Sequence, residues 1–400
     1  MKISVYMEAL AYRYGGAEAY ASAVIESLQL MFPCSTITLI TEHLKGRKKL
    51  SVQQILQMQN EAYGTSISAS NFSVEYFDFQ LIYEHLAKNK ISRLLSIIRK
   101  ELYENFRFRK VQELSCGSDV FINCSRVIVG GLARKNICIV HFPKSAGADS
   151  GINRRISFFR KKAEFRDFAY ENSYDLYLPN SIFTDAHLRE MWSIPEFKTR
   201  VLYPPVKTIH VKRVKNPAQI LLCSRICRLK KIDVILRGLA TSDFLTGNAR
   251  ILVAGSAISE DASFVESLRN EFPKVEFHCD PTRPELEDLY AASGIFVHAM
   301  GYGEESPQNF EHFGITTVEA MSAGCVPVVI DKGGQREIVS DGFGFRWNTI
   351  REMVEKTEWL VKNPAEAERI REKAIKRGSL FCKENFHKKF SDYVLEVLNA

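Results

Sequence analysis

Two glutamates separated by seven residues, Glu311 and Glu319, stand in the densest polar stretch of the chain, Glu311-His312-Phe313-Gly314-Ile315-Thr316-Thr317-Val318-Glu319. Before it run an apolar segment ending at Ala299 and a polar, glycine-containing loop over 300–310; after it comes another apolar segment, 326–331. This pattern puts Glu311 in a loop beside a helix start and Glu319 about two turns along that helix. Gly314 and the backbone amides after it can meet a phosphate at the helix N-terminus. Glu319 can accept hydrogen bonds from ribose hydroxyls, as an acidic residue does in dinucleotide sites. Either carboxylate could equally be a helix cap or a surface group. A carboxylate facing a phosphate becomes favourable only with cations nearby.

The cations come from an earlier strand end. Residues 219–224 are followed by Arg225 and, five positions on, by Lys230 and Lys231. Arg can grip a diphosphate through its fork and Lys as a point charge; a solvated basic loop is the plain alternative. Near the amino terminus Gly15-Gly16-Ala17-Glu18 opens a helix after a first strand and a long turn. Close backbone approach and a positive helix end suit a phosphate there, although a simple loop reads the same way. This is not the G-x-G-x-x-G fingerprint of dinucleotide sites.

Short strands must place these groups. Candidate strands fall at 3–7, 36–41, 74–79, 119–124, 136–142 and 175–178, then at 219–224, 250–255, 275–279, 294–299 and 326–331. They are rich in Val, Ile, Leu and Phe without strict alternation, the pattern of strands buried on both faces of a parallel sheet. Helical stretches between them imply βαβ crossovers and doubly wound α/β sheets, with ligand crevices at the carboxyl ends of the strands. The chain divides best at Tyr203-Pro204-Pro205-Val206, where consecutive prolines continue neither helix nor strand. That gives an N-terminal domain over 1–206, a C-terminal domain over 207–385, and a helical tail, 386–400, crossing back to the first.

With 400 residues, 46% hydrophobic and 25% charged, the chain can bury two ordinary cores. It has no apolar run long enough for a membrane span and no signal-peptide start, so a cytoplasmic location is expected, free or peripheral on the inner face of a membrane. The nine cysteines are scattered, with no second pair to complete a zinc site around Cys223 and Cys227. A net charge of +7 suits an anionic ligand or surface. No basic stripe with stacking aromatics accompanies it, so nucleic acid is not expected as a partner.

Taken in order, these motifs resemble the family 4 retaining glycosyltransferases of the GT-B fold, two Rossmann-like domains facing each other across a cleft. The resemblance runs over nearly the whole chain: Gly15-Gly16-Ala17-Glu18, Asn180-Ser181-Ile182-Phe183-Thr184, Tyr203-Pro204-Pro205-Val206, Arg225 with Lys230, Ala254-Gly255-Ser256, the Glu311/Glu319 pair, Gly333-Gly334 and Glu337-Ile338-Val339. It implies transfer of a hexosyl group from a nucleotide-diphosphate sugar to a glycan or lipid-linked acceptor in polysaccharide, lipopolysaccharide or glycolipid assembly, with no bound cofactor and no metal. Arg225 and Lys230 would hold the diphosphate, Gly15, Gly16 and Gly255 would admit the donor, Glu311 would contact the transferred sugar, and Glu319 the ribose. Phe313, Gly314, Ile315 and Thr316 would line phosphate and sugar. His141, in Val140-His141-Phe142-Pro143, matches a family histidine near sugar and acceptor; a histidine after a strand is also commonly structural. Ser224 and Ser256 stand where glycines are usual.

His312-Phe313-Gly314-Ile315 and Val140-His141-Phe142-Pro143 look like segments of lipid-linked-oligosaccharide mannosyltransferases. This puts GDP-mannose ahead of a UDP-hexose as donor. Two basic, aromatic-bearing stretches, 88–110 and 153–166, suggest contact with an anionic membrane surface, against the plain reading of packed helices with a solvated face. An epimerase of the same fold, or a non-catalytic nucleotide-sugar-binding partner protein, are the alternatives.

Overall fold

The computed structural model describes the chain except residues 13–14, 45, 79–89, 128, 144–167 and 210–213; the side chains of 90–102 also lie outside the description. The chain divides into two units, one of Met1–Tyr203 with Phe386–Ala400, the other of Pro204–Asn385.

The first unit is a six-stranded sheet of β1 (Lys2–Tyr6), β2 (Thr36–His43), β3 (Phe72–Asp78), β4 (Val120–Asn123), β5 (Lys135–Val140) and β6 (Leu176–Pro179), in the order β3-β2-β1-β4-β5-β6. Every neighbouring pair is parallel. Helices α1 (Gly16–Met31), α2 (Val52–Tyr63), α3 (Lys90–Ser115) and α4 (Ile182–Trp192) belong to the crossovers and flanks. Helix α1 follows β1 directly and buries Tyr20, Ala21, Val24, Ile25 and Leu28 in the core. A late helix, running from Lys383 to Asn399, supplies Phe386, Phe390, Val394 and Val397 to the same core.

The second unit repeats this topology. Its strands are β7 (Asn216–Cys223), β8 (Arg250–Gly255), β9 (Glu276–Cys279), β10 (Ser293–His298), β11 (Val326–Ile330) and β12 (Phe345–Trp347), ordered β12-β11-β10-β7-β8-β9 and parallel throughout. Counted from β7, this is the order of the first sheet, so each unit reverses direction between its first and fourth strands. Such switch points leave a crevice at the carboxyl ends of the strands. The helices are α5 (Ile232–Ala240), α6 (Asp243–Asn248), α7 (Ala262–Glu271), α8 (Arg283–Ala292), α9 (Ile315–Ser322), α10 (Gln335–Ile338), α11 (Ile350–Lys362) and α12 (Pro364–Gly378); α13 is the Lys383–Asn399 helix of the first unit's core.

Strand β12 is an addition to the sequence expectation. Three residues beside Gly342 and Gly344 are too short to show a period, yet Trp347 is fully buried and its indole Nε1 lies 3.4 Å from the Val328 carbonyl oxygen.

Of the two basic stretches, the structure bears on one only. Residues 153–166 lie outside the described residues, as does Lys88. Within α3, Arg107 is not a surface cation: it is buried, with Nε 2.6 Å from Glu42 Oε1. Glu42 also accepts from Tyr6 OH at 2.9 Å and from Tyr103 OH. A helical wheel cannot tell an inward arginine from an outward one when its carboxylate comes from a strand 65 positions away. Among the described residues no helix is long and apolar enough to cross a membrane.

Candidate functional site

In the first unit the turn after β1 leads to Gly15, which caps α1 in extended conformation (φ 172°). Its amide donates to Tyr63 OH at 2.8 Å, so a side chain of α2 already uses one of the groups expected to face a phosphate. Gly16 is the first residue of α1. His141 follows β5, half-buried, and its Nε2 lies 3.0 Å from the Cys124 carbonyl oxygen, which assigns the proton to Nε2. The edge of Tyr20 lies against the ring at 5.8 Å, and Tyr20 OH donates to Leu202 O at 2.8 Å. His141 is therefore held in one orientation at a strand end.

In the second unit the loops leaving β7 and β8 are tied together. Ser224 N donates to Ala254 O at 3.1 Å and Ile226 N to Ser256 O at 2.8 Å. Gly255 (φ +144°) makes this approach possible, since a Cβ there would sit 1.8 Å from Ser224 O. Arg225 stands exposed on this loop. Lys230 closes a short 3-10 turn, Arg228–Lys230, and turns inward, with Nζ 2.6 Å from Glu311 Oε2. Lys231 pairs instead with Glu304 Oε1 at 2.5 Å.

Glu311 has a second neighbour: His298, the last residue of β10, places Nε2 3.3 Å from the same Oε2. Burial alone would push the Glu311 carboxyl up; the Lys230 charge and the His298 contact outweigh it and hold the group well below the usual carboxylate range. The loop carrying Glu311 is clamped from behind. Gly334 N donates to Glu311 O at 2.8 Å. A Cβ on Gly333 (φ +59°) would meet that oxygen at 2.3 Å, and one on Gly334 would meet His312 O at 2.3 Å.

Gly314 (φ +121°) caps α9, and its carbonyl accepts from Thr317 N and Val318 N. Ile315 and Thr316 open the helix half-buried, where backbone N–H groups have no intrahelical acceptor. Phe313 faces the interior, 3% exposed, with its ring against Phe381 at 5.4 Å; only its backbone is placed to line a ligand. Burial lowers the His312 ring pKa to about 4.

Glu319, 7% exposed, is held by two groups of α8: Arg283 Nη1 lies 2.6 Å from Oε1, and Tyr290 OH donates to Oε2 at 3.1 Å. Arg283 Nε in turn donates to Glu287 Oε1 at 2.7 Å. An ionised carboxylate has about four acceptor positions, so two remain for other donors.

Sequence reading missed Arg283, Tyr290, His298 and Gln335. Some signals were available. Thr282 and Glu285 form a capping box that opens α8, and Arg283 and Tyr290 lie seven apart, on one helical face. His298 ends an apolar strand at the end where parallel sheets bind ligands. Among the described residues no cluster of three His, Cys, Asp or Glu is placed to hold a metal ion.

With this geometry in place, known proteins show what the chain is similar to. The family model for glycosyl transferases group 1 matches residues 207–377, the stretch that carries Arg225, Lys230, Glu311 and Glu319. The whole fold is similar to Anabaena Alr3699/HepE crystallised with UDP (TM-score 0.67, 16% identity, 99% of this chain and 100% of that one). It is similar also to a sucrose-phosphate synthase from Thermosynechococcus elongatus (TM-score 0.67, 14% identity, 100% and 99%). The twin sheets have the architecture of these neighbours, the GT-B fold, and the second of them carries the match to the glycosyl transferases group 1 model.

In sequence the likeness is to mannosyltransferases. A GDP-Man:Man(3)GlcNAc(2)-PP-Dol alpha-1,2-mannosyltransferase of Dictyostelium discoideum is 26% identical over 248 residues, 56% of this chain. The match spans about half the length of that relative, 48%.

Proposed function

We propose that the chain moves a hexosyl group, mannose ahead of others, from a nucleotide-diphosphate sugar to a glycan or lipid-linked acceptor, with retention of anomeric configuration. The observation that carries this reading is the pair of held carboxylates, Glu311 on Lys230 and Glu319 on Arg283, within one group 1 domain. Lys230 and Arg225 meet the diphosphate, aided by the open amides of Ile315 and Thr316 at the start of α9. Glu311 faces the transferred sugar, and the two remaining acceptor positions of Glu319 take the ribose hydroxyls. Gly16 and Gly255 keep backbone close to the donor, and His141 serves near the sugar and acceptor.

In the transfer, the bond from the anomeric carbon to the diphosphate oxygen breaks. The acceptor oxygen bonds to that carbon from the same face, and its proton passes to the departing diphosphate. The chain's part is to neutralise the leaving group and position the acceptor. Likeness to a relative whose name specifies GDP-Man and a dolichol-linked glycan supports mannose and a lipid-linked acceptor. Neighbours crystallised with UDP keep a UDP-hexose as the other donor to test. A lipid-linked acceptor also favours work on the cytoplasmic face of a membrane; absence of co-sedimentation with anionic vesicles at low salt would count against that part.

The deciding experiment is a thermal-shift series with GDP, UDP, GDP-mannose, UDP-glucose and UDP-N-acetylglucosamine, on the unaltered chain and on Lys230→Ala. A ligand at a hundred times its Kd adds about 2.7 kcal/mol. A shift with one base that disappears in the variant supports the reading and fixes the donor. No shift with any nucleotide refutes a preformed donor site, and sugar conversion without acceptor would favour an epimerase.

A further inference from the structure

We propose that His298 is the positioning residue for Glu311, taking over its carboxylate when Lys230 turns to the donor diphosphate. The inference rests on the roles given to Lys230 and Glu311 above.

Both groups address one atom. Lys230 Nζ lies 2.6 Å from Glu311 Oε2 and His298 Nε2 lies 3.3 Å from it. The ammonium holds the nearer place. The buried ring nitrogen, on a residue 4% exposed, stays short of a well-formed hydrogen bond. A buried N–H left in that state is costly, so the site holds a donor in reserve. On the other side of the ring, Gln335 Nε2 lies 3.5 Å from Nδ1. With Nδ1 as acceptor, the proton belongs on Nε2, directed at Glu311.

The frame is stiff. Gln335 is fully buried, and its Nε2 lies 2.8 Å from where a Cβ on Gly314 would stand. Gly333 and Gly334 press on the carbonyls of Glu311 and His312 from the same turn. Glu311 therefore cannot follow Lys230 far. When the ammonium leaves, the 3.3 Å contact is the one that can close. A neutral imidazole suits this role, because it orients the carboxylate without adding a positive charge that would compete with Lys230 for the diphosphate. Burial, which lowers the ring pKa, keeps it neutral.

The test measures how much the sugar adds to nucleotide affinity. The Kd values of GDP and GDP-mannose (UDP and UDP-glucose if the thermal series selects uracil) are compared by calorimetry in the unaltered chain, His298→Gln, His298→Asn and Glu311→Gln. A glutamine amide can reach the position of Nε2; an asparagine amide stops short of it. The sugar's gain in affinity should fall about tenfold in His298→Asn and return in His298→Gln, with the nucleoside diphosphate affinity within about twofold in both histidine variants. Three outcomes overturn the inference. One is an intact gain in His298→Asn with a lost gain in Glu311→Gln, which leaves the Glu311 reading standing. The second is an intact gain in Glu311→Gln, which removes that reading and this inference together. The third is equal loss of nucleoside diphosphate affinity in both histidine variants, which marks a merely structural role. A measurement on the unaltered chain needs no variant to fold: saturating nucleoside diphosphate should move the His298 Nε2 proton resonance downfield in histidine-labelled protein, and an unmoved resonance overturns the handover.

Discussion

The two sheets share one topology, yet they use an ion pair at their carboxyl ends in opposite ways. In the first unit Arg107 and Glu42 are sunk in the core, 7% and 11% exposed, with Tyr6 and Tyr103 occupying the carboxylate. In the second, Lys230 and Glu311 meet at the same 2.6 Å but remain 19% and 20% exposed, with a histidine in reserve. The first pair is closed within the fold. The second is within reach of solvent and of a ligand. A shared scaffold therefore does not determine which of its polar groups are committed to structure; the partners that each carboxylate has besides its cation do.

Matched substitutions should separate the two most strongly. Arg107→Met should cost about 3–5 kcal/mol of stability, because it strands a buried carboxylate, and chemical denaturation would read it. Lys230→Met, the same change in the second unit, should cost less, because Glu311 is nearer to solvent and His298 stands within 3.3 Å of its carboxylate. Its effect belongs in binding: nucleoside diphosphate affinity should drop by one to two orders of magnitude, the loss of a charge-assisted bond of about 1.5–3 kcal/mol. Equal destabilisation by both variants would erase the contrast.

A smaller effect tests the other carboxylate of the second unit. Glu319→Ala should weaken nucleotide binding about tenfold and abolish any preference for GDP or UDP over the 2′,3′-dideoxy form. An unchanged preference would move the ribose away from Glu319.

The smallest effect is one of pH. The His312 pKa is lowered to about 4, below the unfolded value of about 6.5. The stability this carries is complete above about pH 6.5 and is lost as pH falls from there toward 4. The melting temperature should decline over that window, and less steeply in His312→Gln, by a difference of order a few degrees. Parallel curves would show that His312 does not contribute.

Much of this was legible in the chain because parallel strands declare themselves as apolar runs and glycines mark forced backbone. The strands β1 to β11, the acid pair, Lys230 and Gly314 all carry such local signals. What was not legible depends on distant residues. Arg107 reads as part of a basic helix face until Glu42 arrives beneath it. Arg283 and Tyr290 read as ordinary helix residues until α9 brings Glu319 against them. Phe313 looks like a ligand-facing aromatic within its motif, but Phe381 draws it into the interior. Gly255 reads as a donor-site glycine, and the structure adds the nearer cause that Ser224 O occupies the space of its side chain.

The late helix of the first unit also sets an order in time. Phe386, Phe390, Val394 and Val397 leave the ribosome only after the whole of 204–385 has been made. At 5–20 residues per second, that is a wait of roughly 10–40 s. During it the groove left by those four side chains stays exposed to water and to chaperones. The second unit, encoded without interruption, can finish folding first although its synthesis starts later.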